Sequence, residues 1–91
     1  MGRTLTLFLP VGMVSQHLNI PRQTLYYWEK KFPQLKPMRR AGGRRAYRPE
    51  DYNFIRGIQF LRNTGHSIRD VQSIVKENGV EYVQFVWCES D

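Results

Sequence analysis

Residues 20–47 read IPRQTLYYWEKKFPQLKPMRRAGGRRAY, and this segment determines the architecture of the whole chain. It begins with a turn, continues as a run typical of a helix, and ends in a basic loop around two adjacent glycines. From Arg22 to Arg48 there are nine Lys and Arg residues and a single acid, Glu29. This surplus of eight positive charges exceeds the net charge of +6 of the 91-residue chain, so the remaining residues together are slightly acidic. Positive charge concentrated beside tyrosines indicates a surface that binds a polyanion.

A short helix is predicted immediately before this segment. Val11, Val14 and Leu18 recur at i, i+3 and i+7, which places them on one face of a helix. Asn19 tolerates the left-handed conformation that ends a helix, and Pro21 suits the first turn of the next one. The sequence therefore predicts a first helix over residues 11–18, followed by a tight turn.

A second helix is predicted over residues 21–32. Leu25, Trp28 and Phe32 have the spacing of a buried face, and we expect Trp28 to belong to the core. A different face carries hydrogen-bonding tips and charge at four positions: Gln23, Tyr26, Tyr27 and Lys30. Two short helices joined by about three residues, with a polar and aromatic outer face on the second, predict a helix-turn-helix.

A two-stranded wing is predicted after Pro33, the residue that ends this helix. Gly42-Gly43 lies between two basic runs and is typical of a hairpin turn. The arginines that flank the turn are Arg39, Arg40, Arg44 and Arg45. A ribbon of two strands that carries arginines has the shape to contact DNA phosphates or a minor groove. We expect Tyr47, at the end of the ribbon, to lie in the core.

Two further helices are predicted in the second half of the chain. Pro49-Glu50-Asp51 is typical of a helix start, because proline fits the first position and the helix dipole favours acids there. This helix is expected to end near Thr64-Gly65. The next one begins at Ser67-Ile68-Arg69-Asp70, which resembles a capping box, and Asn78-Gly79 is typical of its end.

Short strands are predicted at both ends of the chain. Residues 4–9, TLTLFL, at first alternate polar and apolar side chains, and Pro10 ends the pattern. Residues 80–87, VEYVQFVW, are rich in the β-branched and aromatic side chains that favour a strand. The two strands are candidates to pair, within one chain or across a dimer, because an exposed apolar edge needs a partner.

The composition excludes several classes of protein. A single cysteine, Cys88, forms no intramolecular disulfide and no multi-cysteine metal site, which fits a reducing cytosol. The apolar run at residues 7–11 is too short for a signal peptide or a membrane span. The sequence contains no nucleophile–base pair, no phosphate-cradling loop and no cluster of metal ligands. We therefore expect neither an enzyme nor a cofactor, and a place on the nucleoid in the cytoplasm rather than at a membrane.

The order helix-turn-helix, basic glycine wing, helix, helix resembles the DNA-binding domain of the MerR family of bacterial transcription regulators. The resemblance runs without a gap over residues 11–76, and its strength lies in the whole set of positions in register. The matching positions are Val11-Gly12, Val14-Ser15, Thr24-Leu25, Tyr27-Trp28-Glu29, Gly43, Arg45, Tyr47, Asp51, Ile55, Ile58, Arg62, Gly65-His66-Ser67-Ile68, Val71 and Ile74. The run Trp28-Glu29-Lys30-Lys31-Phe32 is closest to the family's subgroup with Trp-Glu-Arg-Arg-Tyr at this place.

The resemblance implies a mainly α-helical winged helix-turn-helix with four short helices and a two-stranded wing, to which the short terminal strands would be added. The domain would span residues 11–78, between an N-terminal extension at 1–10 and a C-terminal segment at 79–91. Its second helix would enter the major groove, and the wing would clamp phosphates. Regulators of this family usually bind inverted repeats as dimers and distort the DNA between the half-sites.

Two departures from the family's pattern bear on function. The family often has arginine at the positions of Gln23 and Tyr26; glutamine pairs with adenine where arginine prefers guanine, so we expect a different base preference. Only twelve residues follow Gly79, too few for the family's long dimerisation helix and effector domain. The chain is then part of a longer protein, or dimerises differently, or binds DNA as a monomer or in a head-to-tail array.

We therefore predict a sequence-specific transcription regulator whose partner is double-stranded DNA, acting as a homodimer or a head-to-tail array. The residues expected to read bases are Arg22, Gln23 and Tyr26. Those expected to bind phosphates are Thr24, Tyr27, Lys30, Lys31, Arg39, Arg40, Arg44 and Arg45. Two alternatives stay open: an excisionase-like or architectural DNA-binding protein, and a protein-interaction module that docks through the C-terminal strand.

Overall fold

The structure, a computed structural model, describes residues 8–39 and 41–89, and within these it contains five α-helices and one small antiparallel sheet. The helices, in chain order, are α1 (Val11–Leu18), α2 (Arg22–Lys31), α3 (Pro49–Asn63), α4 (Ile68–Asn78) and α5 (Val80–Val86). The strands are β1 (Leu9–Pro10), β2 (Met38–Arg39) and β3 (Arg45–Tyr47), and short 3-10 turns lie at Ala41–Gly43 and Trp87–Glu89. The predicted mainly α-helical winged helix-turn-helix is confirmed.

The turn between α1 and α2 has the predicted chemistry. Asn19 adopts the left-handed conformation, with φ 57° and ψ 46°. The N–H of Ile20 donates to the carbonyl of Ser15 at 2.9 Å, and the Ser15 hydroxyl donates back to the carbonyl of Ile20. Pro21 stands just before α2, where a missing N–H leaves no helical hydrogen bond unmade. The second helix therefore begins at Arg22, one residue after its predicted start.

The wing is a hairpin of β2 and β3, and β3 is the central strand of the sheet, in the order β1-β3-β2. Across the hairpin, Arg39 lies opposite Arg45. On the other side of β3, Leu9 of β1 lies opposite Tyr47. Because α1 follows β1 directly, this pairing ties the wing to the start of the helix-turn-helix.

The N-terminal strand differs from its prediction. Residues 4–7 lie outside the described part of the chain, and the observed strand is Leu9–Pro10. Pro10 thus belongs to the strand instead of ending it, which an edge strand permits because one side of its backbone needs no ladder hydrogen bond. The partner of β1 is the wing strand β3 rather than the C-terminal segment.

The predicted C-terminal strand at residues 80–87 is wrong: these residues form the helix α5 and the beginning of a 3-10 turn. Gly79, with φ 91°, separates α5 from α4. Val83 is completely buried where α5 packs on α3, while Tyr82 and Phe85 face solvent. Strand propensity depends strongly on context, and here the burial of one helical face outweighs it. The strand edge on which the protein-interaction alternative depended does not exist.

The core gathers one face of each helix around α3. Phe32, which follows the last residue of α2, meets Phe54 of α3 edge to face, with ring centroids 5.7 Å apart. Trp28 and Tyr47, both predicted to belong to the core, are buried. This packing fixes the inner face of α2 and leaves its other face to solvent. Within the described residues, no helix has both the length and the apolar character needed to cross a membrane.

Candidate nucleic-acid interface

The outer face of α2 has a fixed position, because the helix is anchored along its inner face and at its C-terminal end. Leu25 and Trp28 are buried in the core. The side-chain amide of Gln72 in α4 donates to the carbonyl of Lys31 at 2.9 Å, which satisfies one carbonyl at the end of the helix. The exposed residues of α2 are Arg22, Gln23, Tyr27, Lys30 and Lys31. Five of the predicted contact residues therefore face solvent on one rigid element.

The wing tip turns at two glycines in the left-handed region. Gly42 has φ 83° and Gly43 has φ 78°, values that residues with a side chain adopt only at a cost. Arg39 and Arg44, on either side of this turn, are exposed. Arg40 lies outside the described residues. The wing tip therefore exposes at least two arginine side chains to solvent, as the sequence predicted.

A carboxylate joins the wing to α2. Oε1 of Glu29 accepts a hydrogen bond from Nε of Arg45 at 2.9 Å, and Oε2 accepts one from the hydroxyl of Tyr47 at 2.5 Å. The Glu29 side chain is 12% exposed and that of Arg45 24%, so the ion pair is partly shielded from water. In the sequence Glu29 is the only acid of the basic segment, and no local pattern indicates a role for it. The one sequence feature that could have indicated a role is that Glu29 is a single acid among nine basic residues.

The two tyrosines of α2 have different environments. The guanidinium of Arg45 lies over the ring of Tyr26, 4.2 Å from its centroid, and Tyr26 is half-buried. Tyr27 is 46% exposed, and the ammonium of Lys31 lies 5.4 Å from its ring centroid. Tyr27 is therefore open to a partner on the outer face, whereas Tyr26 forms part of the joint between α2 and the wing.

The environment of this joint shifts the pKa values of Tyr47 and Arg45. Burial raises the pKa of the Tyr47 phenol far above its ordinary value, and the hydrogen bond to Glu29 raises it further. Desolvation lowers the pKa of Arg45, but the hydrogen bond and charge of Glu29 outweigh it, so the pKa is raised overall. Tyr47 thus remains a neutral donor and Arg45 a cation at physiological pH.

A second ion pair joins Arg48 to Asp51. Nε and Nη2 of Arg48 donate to the two carboxylate oxygens of Asp51 at 3.0 and 3.1 Å. Asp51 is buried in the first turn of α3, and its hydrogen bond raises the pKa of Arg48. This pair caps α3 and stabilises the fold. The described basic residues of the segment that have no carboxylate within ion-pair distance are Arg22, Lys30, Lys31, Lys36, Arg39 and Arg44.

A cleft of about 470 Å³ lies between the start of α1, the start of α2 and the wing. Four of the predicted contact residues line it: Arg22, Tyr26, Arg44 and Arg45. Arg22 reaches over Gly12, where a Cβ atom would stand 2.6 Å from its Nη2 atom. Guanidinium groups bind phosphate oxygens with charge-assisted and often paired hydrogen bonds, so this cleft suits a phosphate group.

Other predicted residues do not converge on that cleft. Thr24 is half-buried and lines a separate shallow groove with Arg62 and Asn63 of α3. Lys30 and Lys31 lie further along α2 and are absent from the lining of the cleft. The structure thus places the described members of the predicted set in the cleft, along the outer face of α2, at the wing tip (Arg39) and in the groove beside α3 (Thr24).

The described residues offer no metal centre. No three His, Cys, Asp or Glu side chains in that part of the chain lie close enough together to hold an ion. Cys88 is an exposed free thiol beyond α5.

Comparisons with known proteins relate this chain to helix-turn-helix regulators. The family model described as MerR HTH family regulatory protein matches residues 9–78. An uncharacterised HTH-type transcriptional regulator of Bacillus subtilis (strain 168), YyaN, is 31% identical over 71 residues, which are 78% of this chain and 51% of the relative. This chain therefore spans about half the length of that curated relative. No solved structure matches the chain significantly.

Proposed function

Because this chain belongs to the MerR family of helix-turn-helix regulatory proteins, we propose that it binds specific sequences in double-stranded DNA and so regulates transcription. The observation that carries the proposal is the unpaired positive charge shared by the outer face of α2 and the wing. The two elements are neighbours, since Arg45 of the wing lies over Tyr26 of α2. A continuous cationic surface built on a helix and a ribbon is complementary to a groove of DNA and its flanking phosphates.

Base reading is assigned to the exposed N-terminal part of α2. Gln23 is exposed there, and its amide can pair with N6 and N7 of adenine through two hydrogen bonds. Arg22 and Tyr26 lie beside it and line the cleft next to the wing. Recognition helices contact base edges with their N-terminal residues, so this end of α2 is proposed to enter the major groove.

Phosphate binding is assigned to the remaining cations and polar groups. Phosphate contacts fix the position of a protein on DNA and give its affinity a strong salt dependence, but they do not distinguish sequences. The residues proposed for this role are Thr24, Tyr27, Lys30, Lys31, Arg39, Arg40, Arg44 and Arg45. Of these, Arg44 and Arg45 line the cleft, whereas Tyr27, Lys30 and Lys31 lie on the outer face of α2, and this division favours contacts on more than one phosphate.

We propose further that more than one copy acts at each site on the bacterial nucleoid. One recognition helix reaches only about three or four base edges, which is little discrimination against a genome. Two copies would double the number of bases read. A homodimer predicts an inverted repeat, and a head-to-tail array predicts direct repeats.

The proposal is tested by selection from a randomised double-stranded DNA pool at about 150 mM salt, near physiological ionic strength. We expect an enriched motif with two half-sites, and an enriched inverted repeat would support a dimeric regulator. Enriched direct repeats would instead support an excisionase-like or architectural role. Binding without any enrichment, lost at the same salt, would contradict sequence-specific recognition.

Regulation itself is tested with the selected site. The site is placed in a promoter that drives a reporter, and transcription is measured with and without the protein. We expect the output to change when the protein is present. A matched promoter with a scrambled site serves as the control and should not respond.

A further inference from the structure

We propose that Glu29 is a positioning residue for DNA binding: its carboxylate holds Arg45 against Tyr26, so that the terminal nitrogens of Arg45 are presented to a DNA phosphate. The inference rests on the proposed function and deepens it. It gives a role to the only acid of the basic segment, where simple electrostatics would treat a negative charge as harmful to DNA binding.

The first step is that the carboxylate is itself fixed. Glu29 belongs to α2, and its side chain is largely buried beside the wing. The hydroxyl of Tyr47 donates to Oε2, and the Tyr47 ring is completely buried in the core. Oε1 is left to accept from Arg45. A carboxylate held from one side by the core is a rigid support for the group on its other side.

The second step is that this support uses only one edge of Arg45. The guanidinium has five N–H donors, and a single one, on Nε, is bonded to Glu29. Its flat face is covered by Tyr26 at 4.2 Å. In the described part of the chain, the four N–H groups on the two terminal nitrogens donate to no other group. Arg45 lines the cleft that also contains Arg22 and Arg44.

The third step is that fixing an arginine in advance favours binding. A long side chain loses conformational freedom when it is immobilised by a ligand, and that loss weakens the complex. Held by Glu29 and Tyr26, Arg45 has already lost most of this freedom in the folded protein. The planar fork of its terminal nitrogens matches two phosphate oxygens, a geometry that lysine does not have. We infer that the orientation gained outweighs the repulsion between Glu29 and DNA.

The test compares two variants with a matched control on the selected DNA site. Arg45→Lys keeps the positive charge. It removes the guanidinium group, which can bond to Glu29 through Nε and to a phosphate through its terminal nitrogens at the same time. In Glu29→Gln a negative charge is removed. We expect each variant to bind about ten-fold more weakly at physiological salt, the effect of losing one charge-assisted contact. Arg69→Lys, a change at an exposed arginine of α4 that has no acidic partner among the described residues and lies outside the proposed contact set, should stay within about two-fold of wild type.

The salt dependence separates positioning from a general effect on the fold. The slope of log K against log salt should become less steep by about one for Glu29→Gln and for Arg45→Lys, because one phosphate contact is lost. A variant that only lowered stability would change the melting temperature and leave this slope unchanged. The double variant should bind no more weakly than either single one, since both changes break the same unit.

Several outcomes would overturn the inference. Glu29→Gln binding DNA as tightly as wild type, or more tightly, would mean that the carboxylate acts only through its charge. Arg45→Lys behaving like Arg69→Lys would mean that the orientation of the Arg45 side chain is irrelevant to binding. If Glu29→Gln fails to fold, the DNA affinity of Arg45→Lys still tests the proposed positioning. Wild-type protein that shows no salt-dependent binding to any DNA would instead refute the proposed function itself.

Discussion

The carbonyl oxygen of Val83 in α5 lies directly against the Cα atom of Gly57 in α3. A Cβ atom added at Gly57 would stand 1.8 Å from that oxygen and 2.8 Å from the Val83 carbonyl carbon. The nearest atom to such a Cβ belongs to the backbone of Val83 and not to the end of a flexible side chain. The two helices therefore approach as closely as they do because position 57 has no side chain.

Gly57→Ala is expected to destabilise the protein. Overpacking typically costs about 1–3 kcal/mol, which exceeds the gain of about 1 kcal/mol from replacing a helical glycine by alanine. The measurement is the free energy of unfolding in denaturant. Gly12→Ala is the matched control, because its new Cβ would meet only the movable end of Arg22. Equal stability of the two variants would contradict the close packing of α5 on α3.

The helical packing of the C-terminal segment can be tested on two residues of the same helix. Val83→Ala should destabilise by about 1–2 kcal/mol, because two buried methyl groups are lost where Val83 is completely buried. Phe85→Ala should have little effect on stability, since Phe85 is 53% exposed. Thermal unfolding of both variants measures the difference. The reverse order of the two effects would contradict the orientation of α5.

The capping box of α4 should contribute measurably to stability. The Ser67 hydroxyl accepts from the N–H of Asp70 at 3.1 Å, and the Asp70 carboxylate accepts from the N–H of Ser67 at 3.2 Å. Ser67→Ala is therefore expected to cost about 1 kcal/mol in the free energy of unfolding. Ser73→Ala, at an exposed position in the middle of the same helix, should cost nothing. A similar loss in both variants would rule out a specific cap.

Tyr47 should make stability fall at alkaline pH. Burial, then the hydrogen bond to Glu29, raises its pKa in the folded state, so the unfolded chain releases the phenolic proton first. The stabilisation is complete below the unfolded-state pKa of about 10 and is lost progressively as pH rises above that value. Denaturant unfolding between pH 8 and 11 measures the loss.

The matched variants for this pH dependence are Tyr47→Phe and Tyr82→Phe. Tyr47→Phe should be less stable at neutral pH, by about 1–3 kcal/mol for a carboxylate oxygen that loses its partner, but its stability should fall less steeply above pH 10. Tyr82 is exposed, so Tyr82→Phe should follow wild type at every pH. An unchanged alkaline slope in Tyr47→Phe would show that another group is responsible.

The roles proposed for α2 predict different consequences of two substitutions. Gln23→Ala should change which sequence is preferred, with a loss of about 1–3 kcal/mol of discrimination at one base position. Lys30→Ala should weaken binding to all sequences about equally and reduce the salt slope by about one. Repeated selection and salt titrations of both variants provide the measurement. An unchanged preferred sequence in Gln23→Ala would remove Gln23 from the base-reading set.

The sequence alone determined the elements whose causes are local. Asn19 and Pro21 place the turn of the helix-turn-helix, and Gly42 and Gly43 place the tip of the wing, because few other residues adopt those backbone conformations. The capping box at Ser67 marks the start of α4 in the same way. Helical spacing of apolar residues then identified the buried face of α2, and with it the outer face that carries the predicted contacts.

Only the tertiary structure decided the features that join distant residues. The ion pair of Glu29 with Arg45 spans 16 positions, and it forms only when the wing folds back on α2. The segment after Gly79 has strand-like composition, yet it is a helix because Gly57 allows it to pack on α3 and bury Val83. Local patterns reflect the conformational preferences of residues that are close together in the chain. The Glu29–Arg45 ion pair and the helix α5 depend instead on the free energy of contacts between segments that are distant in the sequence.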